Sequence, residues 1–143
     1  METDETIKKG FLRLERYAQN IPGGFHCCAE DPENGYPFAY VSDRFLEILG
    51  WEREEFAARF DNRYTALIHP DDLAAGLRYR NAENSATYAK NGDSIFRILG
   101  KNGYRWVTNA ANQVEWYGKG YIVGTITDIT PYMELREKLE QQN

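Results

Sequence analysis

Apolar positions along the chain change their spacing twice, and the changes mark out its elements. Over residues 4–19, Ile7, Phe11, Leu14 and Tyr17 recur three or four apart, the single stripe of an amphipathic helix. Thr3 can cap it, Asp4 and Glu5 suit its positive end, and Pro22 stops it by restricting Ile21. A strand follows at 24–30 (GFHCCAE), then the turn formers Asp31, Pro32, Asn34 and Gly35, then a second strand at 36–42 (YPFAYVS). The two read as a hairpin. Pro37 belongs at a strand end, because it has no N–H for the ladder.

Residues 43–88 read as short helices. Ser42 or Asp43 can cap the first, which carries Phe45, Leu46 and Leu49 and is closed by Gly50. Glu52, Glu54 and Glu55 load the first turn of the next, around Phe56 and Phe60. His69, Pro70, Asp71 and Asp72 open a third, with Leu73 and Leu77 on its buried side. Beyond the turn at Asn91-Gly92 the spacing becomes that of strands. SIFRILG at 94–100, YRWVTNAANQVEW at 104–116 and YIVGTITDIT at 121–130 predict three consecutive antiparallel strands. Lys101-Asn102-Gly103 and Gly118-Lys119-Gly120 are the turns between them. Thr130 can cap a last helix and Pro131 can open it. Its Tyr132, Leu135 and Leu139 are spaced as in a heptad seam, but too few to hold a helix alone.

Composition narrows the function classes. The chain has 143 residues, one domain's worth, and is 42% hydrophobic, which excludes wholesale disorder. No stretch approaches the ~20 apolar residues of a membrane span, and the first residues lack the apolar core of a secretory signal. A cytoplasmic protein is expected. The net charge of −5 and the lack of any basic run beyond Lys8-Lys9 argue against nucleic acid or an anionic membrane as partner. Cys27 and Cys28 are adjacent, so in a strand they point to opposite faces and form no CxxC pair. With only His26 and His69 besides, no spacing fits a metal site. The excess lies in aromatic rings: ten Tyr, seven Phe and three Trp.

Five segments in fixed order carry a family resemblance: IPGGFH, YVSDRFLEILGW, LIHPDD, FRILGKNGYRWV and GTITDIT. Over residues 21–130 the chain resembles a PAS domain running into its C-terminal PAC motif, of the bacterial type that precedes diguanylate cyclase domains or sensor histidine kinases. The resemblance implies an α+β fold. Its five-stranded antiparallel sheet has the order 2-1-5-4-3, with short helices on one face. Residues 1–20 then form a flanking helix and 131–143 the start of a signalling helix. It also implies a sensor or regulatory module, not itself an enzyme, linked to an output domain beyond Asn143. A ligand-free, constitutive dimerisation adaptor is the alternative.

Flavin photochemistry in this family uses a Cys in an Asn-Cys-Arg-Phe motif, and LRYRNAENSATY has no cysteine there, so flavin adducts are rejected. Haem is not expected either, since His69 in HPDD reads as a helix cap. Asp71 and Asp72 read as first-turn acids favoured by the helix dipole, not as a catalytic pair. An unidentified small molecule remains the candidate ligand. Phe25 and Cys27, Phe38 and Tyr40, and Phe96 and Ile98 alternate on strands, with Phe45 and Leu49 on the adjacent helix. These eight enclose either a packed core or a small apolar pocket, and filling is favoured over cavity. Which alternation faces inward is open, because both sheet faces are apolar. In the family, a triplet such as Asp128-Ile129-Thr130 couples sheet to exit helix, which makes Asp128 and Thr130 the coupling residues. Ile7, Phe11 and Leu14, with Tyr132, Leu135 and Leu139, are the candidate contacts of a homodimer.

Overall fold

The computed structural model describes residues 5, 9, 10, 23–77 and 94–142. Strands β1 (Gly24–Ala29), β2 (Phe38–Val41), β3 (Ser94–Gly100), β4 (Gly103–Trp116) and β5 (Lys119–Asp128) form one antiparallel sheet in the order β2-β1-β5-β4-β3. Between β2 and β3 come α1 (Asp43–Leu49), α2 (Arg53–Phe60), α3 (Tyr64–Leu67) and α4 (Leu73–Gly76); α5 (Thr130–Gln142) leaves the sheet after β5. The fold is the α+β arrangement expected, in the expected strand order. The apolar stripe through Ile7, Phe11 and Leu14 and the turn at Asn91-Gly92 lie outside the described residues. Of the N-terminal helix, Gly10 is helical and lies against the Trp116 ring, where a Cβ would come within 2.5 Å of it.

Local chemistry explains the boundaries. The Ser42 hydroxyl accepts the Phe45 N–H at 3.2 Å and caps α1, and Gly50, left-handed at φ 81°, ends it. Tyr117 and Gly118 both have positive φ, so β4 and β5 are joined by a two-residue turn set one position earlier than expected. At α4 the sequence reading needs correcting. Leu73 is 39% exposed, because the helix is one turn long and lies at the edge of the core.

The core fills the space between the inner sheet face and α1–α3. Phe45, Phe60, Phe96, Leu67, Ile98, Val107 and Ile126 are fully buried there. Phe38, Phe45, Phe56 and Tyr64 meet at centroid distances of 5.3–6.0 Å, mostly edge to face.

Candidate functional site

Three inner-face residues carry the polar chemistry of this core. His26 and Asn109 are each 1% exposed, on β1 and β4, with β5 between them. His26 Nε2 donates to Asn109 Oδ1 over 3.0 Å. The bond crosses β5 at Gly124, where a Cβ would sit 2.7 Å from Asn109 Oδ1 and 2.8 Å from His26 Nε2. Glycine is required there by space, not by its dihedral angles. Ser94 stands opposite Asn109 on β3, also buried. The His26 ring lies 5.6 Å from Phe45 and stacks on Tyr64 at 5.5 Å, while the Tyr64 hydroxyl donates to the Gly76 carbonyl. His26, Asn109, Cys28, Tyr36, Tyr64 and Leu77 line a cavity of about 10 Å³.

Burial sets the protonation states. It lowers the His26 pKa to about 4, against the opposing pull of Asn109. It also raises the Cys27 thiol to about 12 and the Cys28 thiol well above its usual range, so neither is a thiolate nucleophile. The His26 shift predicts an acid sensitivity. The unfolded chain takes up a proton near pH 6.5 and the folded chain near 4, so stability is full above 6.5 and falls as pH drops through that window. About 2 kcal/mol should be lost between pH 7 and 5 in urea unfolding. His26→Gln should remove that slope; an unchanged slope would exclude His26 as its source.

The predicted pocket residues divide between the two faces. Phe38, Phe45, Leu49, Phe96 and Ile98 lie in the inner core. Phe25, Cys27 and Tyr40 do not. Cys27 and Tyr40 pack with Tyr121, Trp116 and Val123 on the opposite face, and Phe25, two residues from Cys27 on β1, touches Tyr40. Phe25 and Cys27 alternate with His26 and Cys28, which face the core, and Tyr40 joins them on the outer face through a β-bulge. Cys27 pairs with Tyr40 but Cys28 with Phe38, so Ala39 is the extra residue and Phe38 and Tyr40 fall on opposite faces. Sequence reasoning missed His26 and Asn109 as a pair. The one available signal was Gly124, breaking a run of larger residues in YIVGTITDIT.

A second cluster joins the sheet to α5. Asp128 accepts from Arg105 at 2.7 and 3.0 Å and from the Thr130 N–H at 2.9 Å. Burial pushes its pKa up, but hydrogen bonding from Thr130 and the Arg105 charge outweigh this and hold it below the usual carboxylate value. The capping role given to Thr130 passes to Asp128. The Thr130 hydroxyl instead accepts the Trp106 N–H at 2.8 Å, and the Ile129 N–H reaches the Trp106 carbonyl at 2.8 Å. Trp106 also carries Arg97 over its ring at 5.0 Å. Arg97 binds Asp72 through two nitrogens at 2.8 and 3.0 Å, so Asp72 is an ion-pair partner, not merely a first-turn acid. His69 does cap its turn, Nδ1 accepting the Asp71 N–H at 3.1 Å. Contacts thus run from the turn before α4, through Arg97 and Trp106, to the start of α5.

On α5, Tyr132, Leu135 and Leu139 are 62%, 57% and 55% exposed. Among the described residues, no group of His, Cys, Asp and Glu is placed to hold a metal, and no helix is long and apolar enough to cross a membrane.

A five-stranded sheet with helices on one face, a small cavity against that face and a bonded joint to an exit helix define a class of α+β module. Residues 38–126 match the family model for the PAS fold, and the chain belongs to that family. No curated protein matches the chain. Among solved structures, a sensory box histidine kinase/response regulator from Burkholderia thailandensis is 23% identical, with a TM-score of 0.57 over 91% of this chain and 94% of that one. A PAS domain from a two-component sensor histidine kinase is 14% identical, with a TM-score of 0.56 over 85% and 97%. An RNA-binding light-oxygen-voltage receptor is 18% identical, with a TM-score of 0.61, covering 94% of this chain but 36% of that protein. At these identities the likeness is one of fold.

Proposed function

We propose that the chain is a cytoplasmic sensor module of a bacterial signal-transduction protein. In this reading, the state of the inner face is passed along β5 to α5 and on to an output domain joined beyond Asn143. A diguanylate cyclase is the first candidate output and a sensor histidine kinase the second. The module itself performs no chemistry, and residues 21–130 are its sensing core. The supporting observation is the joint at Asp128, which ties the end of β5 both to Arg105 on β4 and to the first N–H of α5. A shift of β5 against β4 therefore acts on the helix start. Two copies pair through the terminal helices, using Tyr132, Leu135 and Leu139 with Ile7, Phe11 and Leu14; the exposed α5 stripe supports this.

The ligand-free adaptor is the second reading, and the small cavity favours it. Asp128→Ala separates them. A sensor so altered keeps its sheet, shows faster amide exchange over residues 130–142, and loses signal dependence of the attached output. Unchanged exchange and unchanged regulation would contradict the sensor reading.

A further inference from the structure

The inner-face polar row has more hydrogen-bonding capacity than it uses. His26 Nε2 carries the proton given to Asn109, so in the neutral ring Nδ1 is a lone pair, and among the described residues it has no partner. The Ser94 hydroxyl has none either. Each buried, unmade hydrogen bond leaves a desolvation penalty unrepaid, and an apolar side chain in place of His26 would avoid it. Gly124 is held free of a Cβ so that the histidine can sit in this orientation. A core selected for packing alone has no use for that arrangement.

We infer that this row recognises a small uncharged ligand bearing an N–H or O–H donor, such as a primary amide or an alcohol, which donates to His26 Nδ1. The inference rests on the sensor reading and supplies the ligand class that reading leaves open. Charge excludes other classes. Among the described residues, no lysine or arginine and no carboxylate lines the cavity, and an anion would face the Nδ1 lone pair. The buried ring, between Phe45 and Tyr64, is poorly placed to protonate for it. Size restricts the class further. A space of about 10 Å³ holds little more than one water molecule, so an occupant of few heavy atoms enters only as the half-buried Leu77 wall yields.

The test compares acetamide with acetate, which share a shape but differ in charge and in donors. Histidine-ring ¹⁵N spectra of the whole chain at pH 7 should show the Nε2–H tautomer of His26. Acetamide should shift its Nδ1 signal saturably; acetate at the same concentration should leave it in place. Asn109→Ala, which releases the ring, should weaken acetamide binding about tenfold. Acetate shifting the signal as much as acetamide, or neither shifting it, would overturn the inference, and neither result depends on a variant. Amide exchange of residues 130–142 in the same samples keeps the two proposals apart. Acetamide moving His26 without moving α5 removes the sensor reading and retains the ligand class. Acetate moving both does the reverse.

Discussion

Phe45→Ala should lower the unfolding free energy by about 3–5 kcal/mol, the cost of a large ring removed from a closed core. Phe45 is 0% exposed and touches His26, Phe38 and Phe56, so residues of β1, β2 and α2 all lose a contact at once. Collapse into the space is hindered from below. Gly24 already lies so close to the Phe45 backbone that a Cβ there would be 2.6 Å from its Cα, and α1 cannot move inward. In a chain of this size the loss corresponds to a melting temperature lower by roughly 10–20 °C. Phe45→Leu, which keeps most of the volume, should lose less than half as much. Thermal and urea unfolding check both, and a loss below about 1 kcal/mol for alanine would mean that Phe45 is not the hub of the core.

Gly124→Ala should cost about 2–4 kcal/mol although it adds one methyl group, as strain and unmade hydrogen bonds combine. The new Cβ would fall within 2.8 Å of both partners of the His26–Asn109 bond and 3.1 Å from the Ala111 Cβ. Both polar groups are buried and held by their own strands, so they cannot turn to water. The bond must lengthen or break. In the Asn109→Ala background the same substitution should cost markedly less, because the oxygen it displaces is gone. Equal costs in the two backgrounds would show that the glycine serves β5 itself and not the cross-sheet bond.

Much of the fold was legible because its signals are local. Ser42 and Gly50 bound a helix by their own geometry, and Asn102-Gly103 and Gly118 mark turns without reference to the rest of the chain. The faces of the sheet were not legible. GFHCCA is apolar on both sides, and one extra residue, Ala39, reverses Tyr40 relative to Phe38. Nothing near that residue announces the bulge. Partnerships across long separations were likewise hidden. Asp72 is 25 residues from Arg97, and its place in a helix-opening motif gave a sufficient local explanation. His26 and Asn109 are 83 apart. Asp128 and Thr130 were marked by the family resemblance, but the division of labour was not. The carboxylate takes the helix N–H, and the hydroxyl turns back to Trp106.

In the sensor reading, the inner face and α5 communicate through Asp128. Amide exchange over residues 130–142 checks this, measured in the unmodified chain, in Asn109→Ala, in Asp128→Ala and in the double variant. If the joint transmits, Asn109→Ala speeds exchange in α5 while Asp128 is present and adds nothing once Asp128 is replaced. If Asn109→Ala leaves α5 unchanged, or speeds it equally in both backgrounds, the inner face and the exit helix are not coupled by this route.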